Sequence, residues 1–199
     1  MNIVIIKYNA GNIESVSNAL LRLGIQAEIT GDHEKIRAAD KVIFPGVGEA
    51  STTMAFLKKE RLDLLIPSLK QPVLGICLGL QLMCSHSEEG NTPCLGIFEE
   101  KVKRFTPKPG MEYITKVPHM GWNTISNLKS DLFDQSLDQQ FVYFVHSYYA
   151  TVGEHTAAET NYINPFSAAL HKDNFYATQF HPEKSGPVGA RILENFLNL

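Results

Sequence analysis

Long apolar runs are missing from this 199-residue chain. Without a stretch of about 20 apolar residues there is no candidate membrane span, and the apolar start at residues 1–6 is too short for a secretory leader. Cysteine is scarce: Cys77, Cys84 and Cys94 are the only three, unevenly spaced. That excludes a disulfide framework and a zinc-ligand pattern, and the expected compartment is the cytoplasm, with reduced thiols. A dominant charge is absent too. Lys and Arg number 18 against 21 Asp and Glu, a net charge of −3, so neither nucleic acid nor a membrane surface is indicated as a partner. There is no internal repeat, linker or low-complexity segment. What is present is 44% hydrophobic, and a chain of this size buries roughly 70% of its unfolded surface. The expectation is one domain over residues 1–199.

In the first half the hydrophobic pattern alternates between strand and helix. Strands are expected at residues 2–7, 26–30, 41–44 and 73–76, and helices at 13–23, 32–39, 49–58 and 62–69. Asn12 reads as the N-cap of the first helix and Gly24 as its stop. Pro45 and Gly46 break the third strand. Such alternation argues for a parallel sheet with helices on both faces, in which ligands sit at the carboxyl ends of the strands. The second half reads mostly as strands, at residues 96–105, 119–125, 141–149, 155–160, 167–171 and 174–180. A Pro-containing loop lies at 106–110, and an amphipathic helix closes the chain at 188–197. Antiparallel pairs are expected to extend the parallel core, so the fold class is α/β.

The fourth strand runs straight into helical spacing, and Cys77 stands at the junction with Gly75 and Gly79 at minus two and plus two. This is the G-x-nucleophile-x-G elbow with cysteine in the serine position. Glycines are required because a side chain beside a strained nucleophile would collide with the neighbouring strand or helix. A thiol at a helix start feels the positive end of the dipole, which favours thiolate. The Leu78 N–H there is free to meet an oxyanion. Taken alone, the motif reads equally well as a buried cysteine on a tight turn.

A second site a hundred residues on decides between them. Gln179-Phe180-His181-Pro182-Glu183-Lys184 follows an apolar strand, so His181 stands at a strand end. Pro182 fixes the backbone after it, and Glu183 can turn to the same side and hold the imidazole. Nucleophile, base and orienting carboxylate are then all present.

GICLGLQ (residues 75–81) with QFHPEKS (residues 179–185) resembles the class I, triad-type glutamine amidotransferases. PGVG (45–48), PHMGWN (118–123) and YFVHSYY (143–149) are similar to one branch of them, the glutaminase subunits of imidazole glycerol phosphate synthases in histidine biosynthesis. The resemblance covers essentially the whole chain. It implies a flavodoxin-like fold, with a central, mostly parallel sheet, helices on both faces and antiparallel strands in the C-terminal half. It implies L-glutamine as substrate, a Cys77 glutamyl thioester, and His181 and Glu183 completing the triad. Ammonia would pass to a (β/α)₈ cyclase subunit in a heterodimer, which makes imidazole glycerol phosphate and an aminoimidazole carboxamide ribotide. No metal or organic cofactor is implied. Gly48, Gln81, Glu89, His146, Ser147 and Tyr148 match positions that contact glutamine. Asn12, Met120, Trp122, Tyr143 and Lys184 are candidates for the partner interface. One departure is Lys7, where the family's first loop carries aspartate.

The oxyanion on the glutamine amide needs two donors. Leu78 supplies one, and the end of the neighbouring strand is the natural source of the other. Gly46 and Gly48 bracket Val47, so the Gly46–Val47 peptide can rotate and present or withdraw the Val47 N–H. Cys84 reads as a core residue and Cys94 as incidental. His33, His86, His155 and His171 read as surface or turn residues, and His119 as core. Two other functions stay open: a triad glutaminase feeding a different synthase, and a catalytically silent binding module. An α/β-hydrolase-type enzyme is disfavoured, because there the acid precedes the histidine in sequence.

Overall fold

A computed structural model describes residues 1–8, 12–107, 109–110 and 115–199. The first half builds β1 (Ile3–Ile6), α1 (Ile13–Arg22), β2 (Glu28–Thr30), α2 (His33–Ala38), β3 (Lys41–Gly46), α3 (Ala50–Lys59), α4 (Leu62–Ser68), β4 (Val73–Cys77) and α5 (Leu78–Met83). The second half builds β5 (His86–Ser87), β6 (Thr92–Pro93), β7 (Lys101–Arg104), β8 (His119–Thr124), β9 (Phe141–His146), β10 (Tyr148–Ala150), β11 (Thr156–Asn161), β12 (Pro165–Lys172), β13 (Phe175–Thr178) and α6 (Gly186–Asn198).

One seven-stranded sheet organises the chain, in the order β11-β12-β13-β4-β3-β1-β2. From β13 to β2 every neighbouring pair is parallel, while β11 and β12 are joined on antiparallel. The strand periodicity of two splits the apolar residues between two faces. Ile3, Ile5, Ile43, Leu74 and Ile76 pack with Val16 and Leu20 of α1 and Leu193 and Phe196 of α6. Val4, Ile6, Val42, Phe44 and Val73 pack with Met54 and Leu57 of α3, Leu65 of α4 and Leu80 of α5. A third cluster, including Phe105, Val142, Phe144, Phe166 and Phe180, lies under the β8–β9 ribbon. A four-stranded sheet, β10-β7-β5-β6, and the β8–β9 ribbon complete the fold.

Several boundaries differ from the sequence reading. The third strand does not break at Pro45 but runs to Gly46, whose register partner is Cys77. Pairing with β1 ends at Ile43, so beyond it the proline is not asked for a ladder hydrogen bond on that side. The expected strand at 96–105 is a strand only from Lys101. The N–H groups of Gly96, Ile97 and Phe98 instead donate to the carbonyls of Cys84 and Met83, closing the end of α5. The expected strand at 141–149 changes sheets at Ser147: β9 pairs with β8, and β10 with β7. The short strands β5 and β6 carry too few residues to leave a periodic signal. Of the 106–110 loop, Lys108 lies outside the described residues, as do positions 9–11 of the first loop.

Candidate active site

β4 delivers Cys77 to the carboxyl edge of the sheet, between β3 and β13. Its backbone sits at φ 55°, ψ −106°, a conformation that costs a non-glycine residue on the order of 1–3 kcal/mol and persists only where the surroundings enforce it. The surroundings are tight. A Cβ on Gly79 would lie 2.0 Å from the Phe44 carbonyl oxygen, and one on Gly75 would lie 2.9 Å from Met83 Sδ. Strand, elbow and helix therefore interlock at both glycines, and the cysteine is held out at the turn.

β13 lies beside β4, with Thr178 opposite Ile76, so the residues that follow emerge next to the elbow. Pro182 opens a 3₁₀ turn, Pro182–Lys184, that folds Glu183 back onto His181. His181 Nδ1–H donates to Glu183 Oε1 at 2.7 Å, with both side chains buried. That bond fixes the tautomer and leaves Nε2 as the basic atom. His181 Nε2 and Glu183 Oε2 are the buried side-chain atoms without a hydrogen-bond partner among the described residues. Burial opposes a charge on His181, but the negative charges of Cys77 and Glu183 outweigh it and push its pKa up to about 10. His181 is thus held toward its charged form. Asn12, read as a helix cap, makes no side-chain cap. Its amide donates instead to Glu183 Oε1.

A cleft of about 330 Å³ opens on Cys77, within the range of small-ligand sites. It brings together Val47, Gly48, Leu78, Gln81, Glu89, His146, Ser147, Tyr148 and His181. Gln81 Nε2 donates to the Tyr148 carbonyl at 2.9 Å and to Gln179 Oε1 at 3.1 Å. Glu89 accepts from the Ala50 N–H at the start of α3 at 2.8 Å. Burial raises the Glu89 pKa, partly opposed by that bond. His146 Nδ1–H donates to the Tyr148 carbonyl at 2.7 Å, and its Nε2 accepts from His119 Nδ1–H at 3.1 Å. Burial, the first cause for both, lowers His146 to about 3 and His119 to about 4.

The remaining sequence candidates do not line the cleft. Met120 and Trp122 are 63% and 55% exposed, next to Phe141 at 58%, and Trp122 packs edge-on against the half-buried Tyr143. Lys184 is exposed. Cys84 is buried and Cys94 half-buried. Three contributors escaped the sequence reading. Tyr8 is buried and its hydroxyl donates to the Pro45 carbonyl, directly before the Gly46–Val47 peptide. Ser185 Oγ donates to the His181 carbonyl at 2.7 Å and accepts from the Tyr143 N–H at 2.9 Å. Gln179 places its amide nitrogen 3.8 Å from Cys77 Sγ. For Gln179 the available signal was an amide side chain between the strand Phe175–Thr178 and the apolar Phe180.

The family model for class I glutamine amidotransferases matches residues 4–199. Among curated relatives, the chain is 68% identical over 199 residues to a Bacteroides fragilis imidazole glycerol phosphate synthase subunit HisH, covering all of both chains. It is 43% identical to the subunit of that name from Escherichia coli, again covering all of both. A solved glutamine amidotransferase superposes with a TM-score of 0.74 at 19% identity, covering 98% of this chain and 97% of that one. Thermotoga maritima PurLQS superposes at 0.71 and 14% identity, covering 99% and 97%.

Proposed function

Because the chain belongs to the class I glutamine amidotransferase family, we propose that Cys77, His181 and Glu183 carry its chemistry as the glutaminase subunit of an imidazole glycerol phosphate synthase. One observation supports this above the rest. A strained cysteine elbow faces a cleft shared with a histidine whose Nδ1 is committed to a carboxylate and whose Nε2 is free.

The mechanism follows from those atoms. Glutamine enters with its carboxamide over Cys77, and Gln81, Glu89 and the 146–148 segment hold its amino-acid end. The thiolate attacks the carboxamide carbon. The oxyanion that forms is met by the Leu78 and Val47 N–H groups. The His181 imidazolium gives its Nε2 proton to the departing ammonia, leaving the glutamyl thioester. Neutral His181 then takes a proton from water, which attacks the thioester and releases glutamate. Glu183 keeps the ring oriented throughout and stabilises its charged form.

The ammonia goes to a (β/α)₈ cyclase subunit. The uncovered Met120–Trp122–Phe141 face of the β8–β9 ribbon supports this partner, because a patch of that kind marks a docking surface. The exposed Lys184, next to Glu183 in sequence, supports the same docking, with an acidic group of the cyclase as its partner.

The test is Cys77→Ser in the complex with the cyclase. Glutamine-dependent synthesis should vanish while synthesis from added ammonium salt persists, since a hydroxyl there is a far weaker nucleophile than a poised thiolate. Substantial glutamine hydrolysis by the purified variant would overturn the assignment.

A further inference from the structure

The geometry points to a role for Gln179, which we propose is a hydrogen-bond donor to the Cys77 sulfur and, through its other end, the residue that sets which face Gln81 shows to the substrate. This rests on the proposed reading of Cys77 as nucleophile. Gln179 is fully buried, just past the end of β13. A buried amide without partners costs about 1–3 kcal/mol, so its contacts should account for both of its ends. They do. Its Nε2 lies 3.8 Å from Cys77 Sγ, and its Oε1 accepts from Gln81 Nε2 at 3.1 Å.

The polarity of this chain of bonds is fixed at its far end. The Tyr148 carbonyl can only accept, so the Gln81 atom 2.9 Å from it is the amide nitrogen. That nitrogen also faces Gln179, which must therefore present oxygen to it. The remaining end of Gln179, the one against sulfur, is then its N–H. A flipped Gln179 would set nitrogen against nitrogen at its Gln81 end.

Two consequences follow. An N–H aimed at sulfur favours the thiolate over the thiol. It also leaves the sulfur held from a direction other than His181, so the ring can give its proton to ammonia without the nucleophile turning away. Meanwhile both hydrogens of the Gln81 amide are spent on Tyr148 and Gln179. What Gln81 offers the cleft is its carbonyl oxygen, an acceptor suited to a donor on the substrate and repulsive to a carboxylate.

The test separates the two ends. Gln179→Glu keeps an acceptor for Gln81 and removes the donor to sulfur. The pH midpoint of Cys77 alkylation by iodoacetamide should rise by about one unit or more and kcat should fall on the order of tenfold. KM for glutamine should stay within about twofold. Gln179→Met removes both ends, so KM should rise as well. Wild-type midpoints in both variants would overturn the proposal. So would a Gln179→Glu variant that lost only KM. Should neither variant fold, the wild-type protein decides. The Gln179 side-chain amide resonance should move as Cys77 titrates, and a resonance that stays fixed would refute the contact. The underlying reading fails differently: alkylation of Cys77 would then leave glutamine hydrolysis intact.

Discussion

At the scale of single residues, the three cysteines differ by environment. Burial pushes Cys84 well above its ordinary thiol value and Cys94 up to about 11, so both stay protonated and inert near neutrality. Iodoacetamide inactivation should therefore track modification of Cys77 alone. Peptide mapping that found Cys94 modified in step with lost activity would misplace the chemistry. The two partners of the thiol should also separate. His181→Asn removes the group proposed to move the proton and should cost on the order of a thousandfold or more in glutamine turnover. Glu183→Gln leaves a side chain that can still hold the ring and should cost less. The reverse order in turnover measurements would exchange the roles. The imidazolium contributes stability that is fully present below the ordinary histidine pKa of 6.5 and is lost as pH rises through about 10. Glutamine hydrolysis should accordingly fail on the alkaline side as that pH is approached.

At the scale of elements, the end of β3 is the proposed source of the second donor to the oxyanion. Tyr8 pins the Pro45 carbonyl, and Gly48 beyond Val47 sits at φ +122°, so any rotation is confined to the peptide between a held strand and a free glycine. A missing donor typically costs a hundred- to a thousandfold in rate, so a partner that biases this segment would switch the glutaminase on. Glutamate release should be weak for the subunit alone and rise with the cyclase, more so with the cyclase loaded. Val47→Pro, which removes the N–H, should flatten that rise and leave ammonia-driven synthesis intact. Equal rates in all three states of the wild-type would dispose of the switch. The elbow was legible in the sequence because its requirements are local: two glycines, one thiol, a change of period. So was the alternation that builds the parallel sheet. The sheet change at Ser147 was not legible, because residues 141–145 form an unbroken apolar run and Tyr148 and Tyr149 are strand formers too, so no change of period marks it. It is enforced by a His146 side chain bonded to the Tyr148 carbonyl. Asn12 misled for a similar reason. Its type suits a helix cap, but a carboxylate brought close from residue 183 competes for the same amide.

At the scale of the whole molecule, the paired histidines under the β8–β9 ribbon tie stability to acid. His119 and His146 are buried among Phe105, Phe144, Phe166 and Tyr162, and fold as neutral rings. Their folded pKa values lie below the unfolded value of 6.5, so their contribution is present above 6.5. It drains as pH falls toward about 4 for His119 and about 3 for His146. At pH 5 each should have lost about 2 kcal/mol, which for a domain of this size lowers Tm by roughly 4–8 °C per histidine. Thermal melts at pH 7.5 and pH 5 check this, and His119→Phe should remove about half of the difference. An identical shift in that variant would place the acid sensitivity elsewhere. The same ribbon reaches the triad by a different route. The His181 N–H donates to the Tyr143 carbonyl at 2.9 Å, and the Tyr143 N–H donates to Ser185. The amide proton of His181, the proposed general base, is thus shielded by an acceptor on the strand that carries the proposed docking face. Its exchange with deuterated solvent becomes a clock for that strand, readable with no substrate present, and should slow when a partner settles on Trp122.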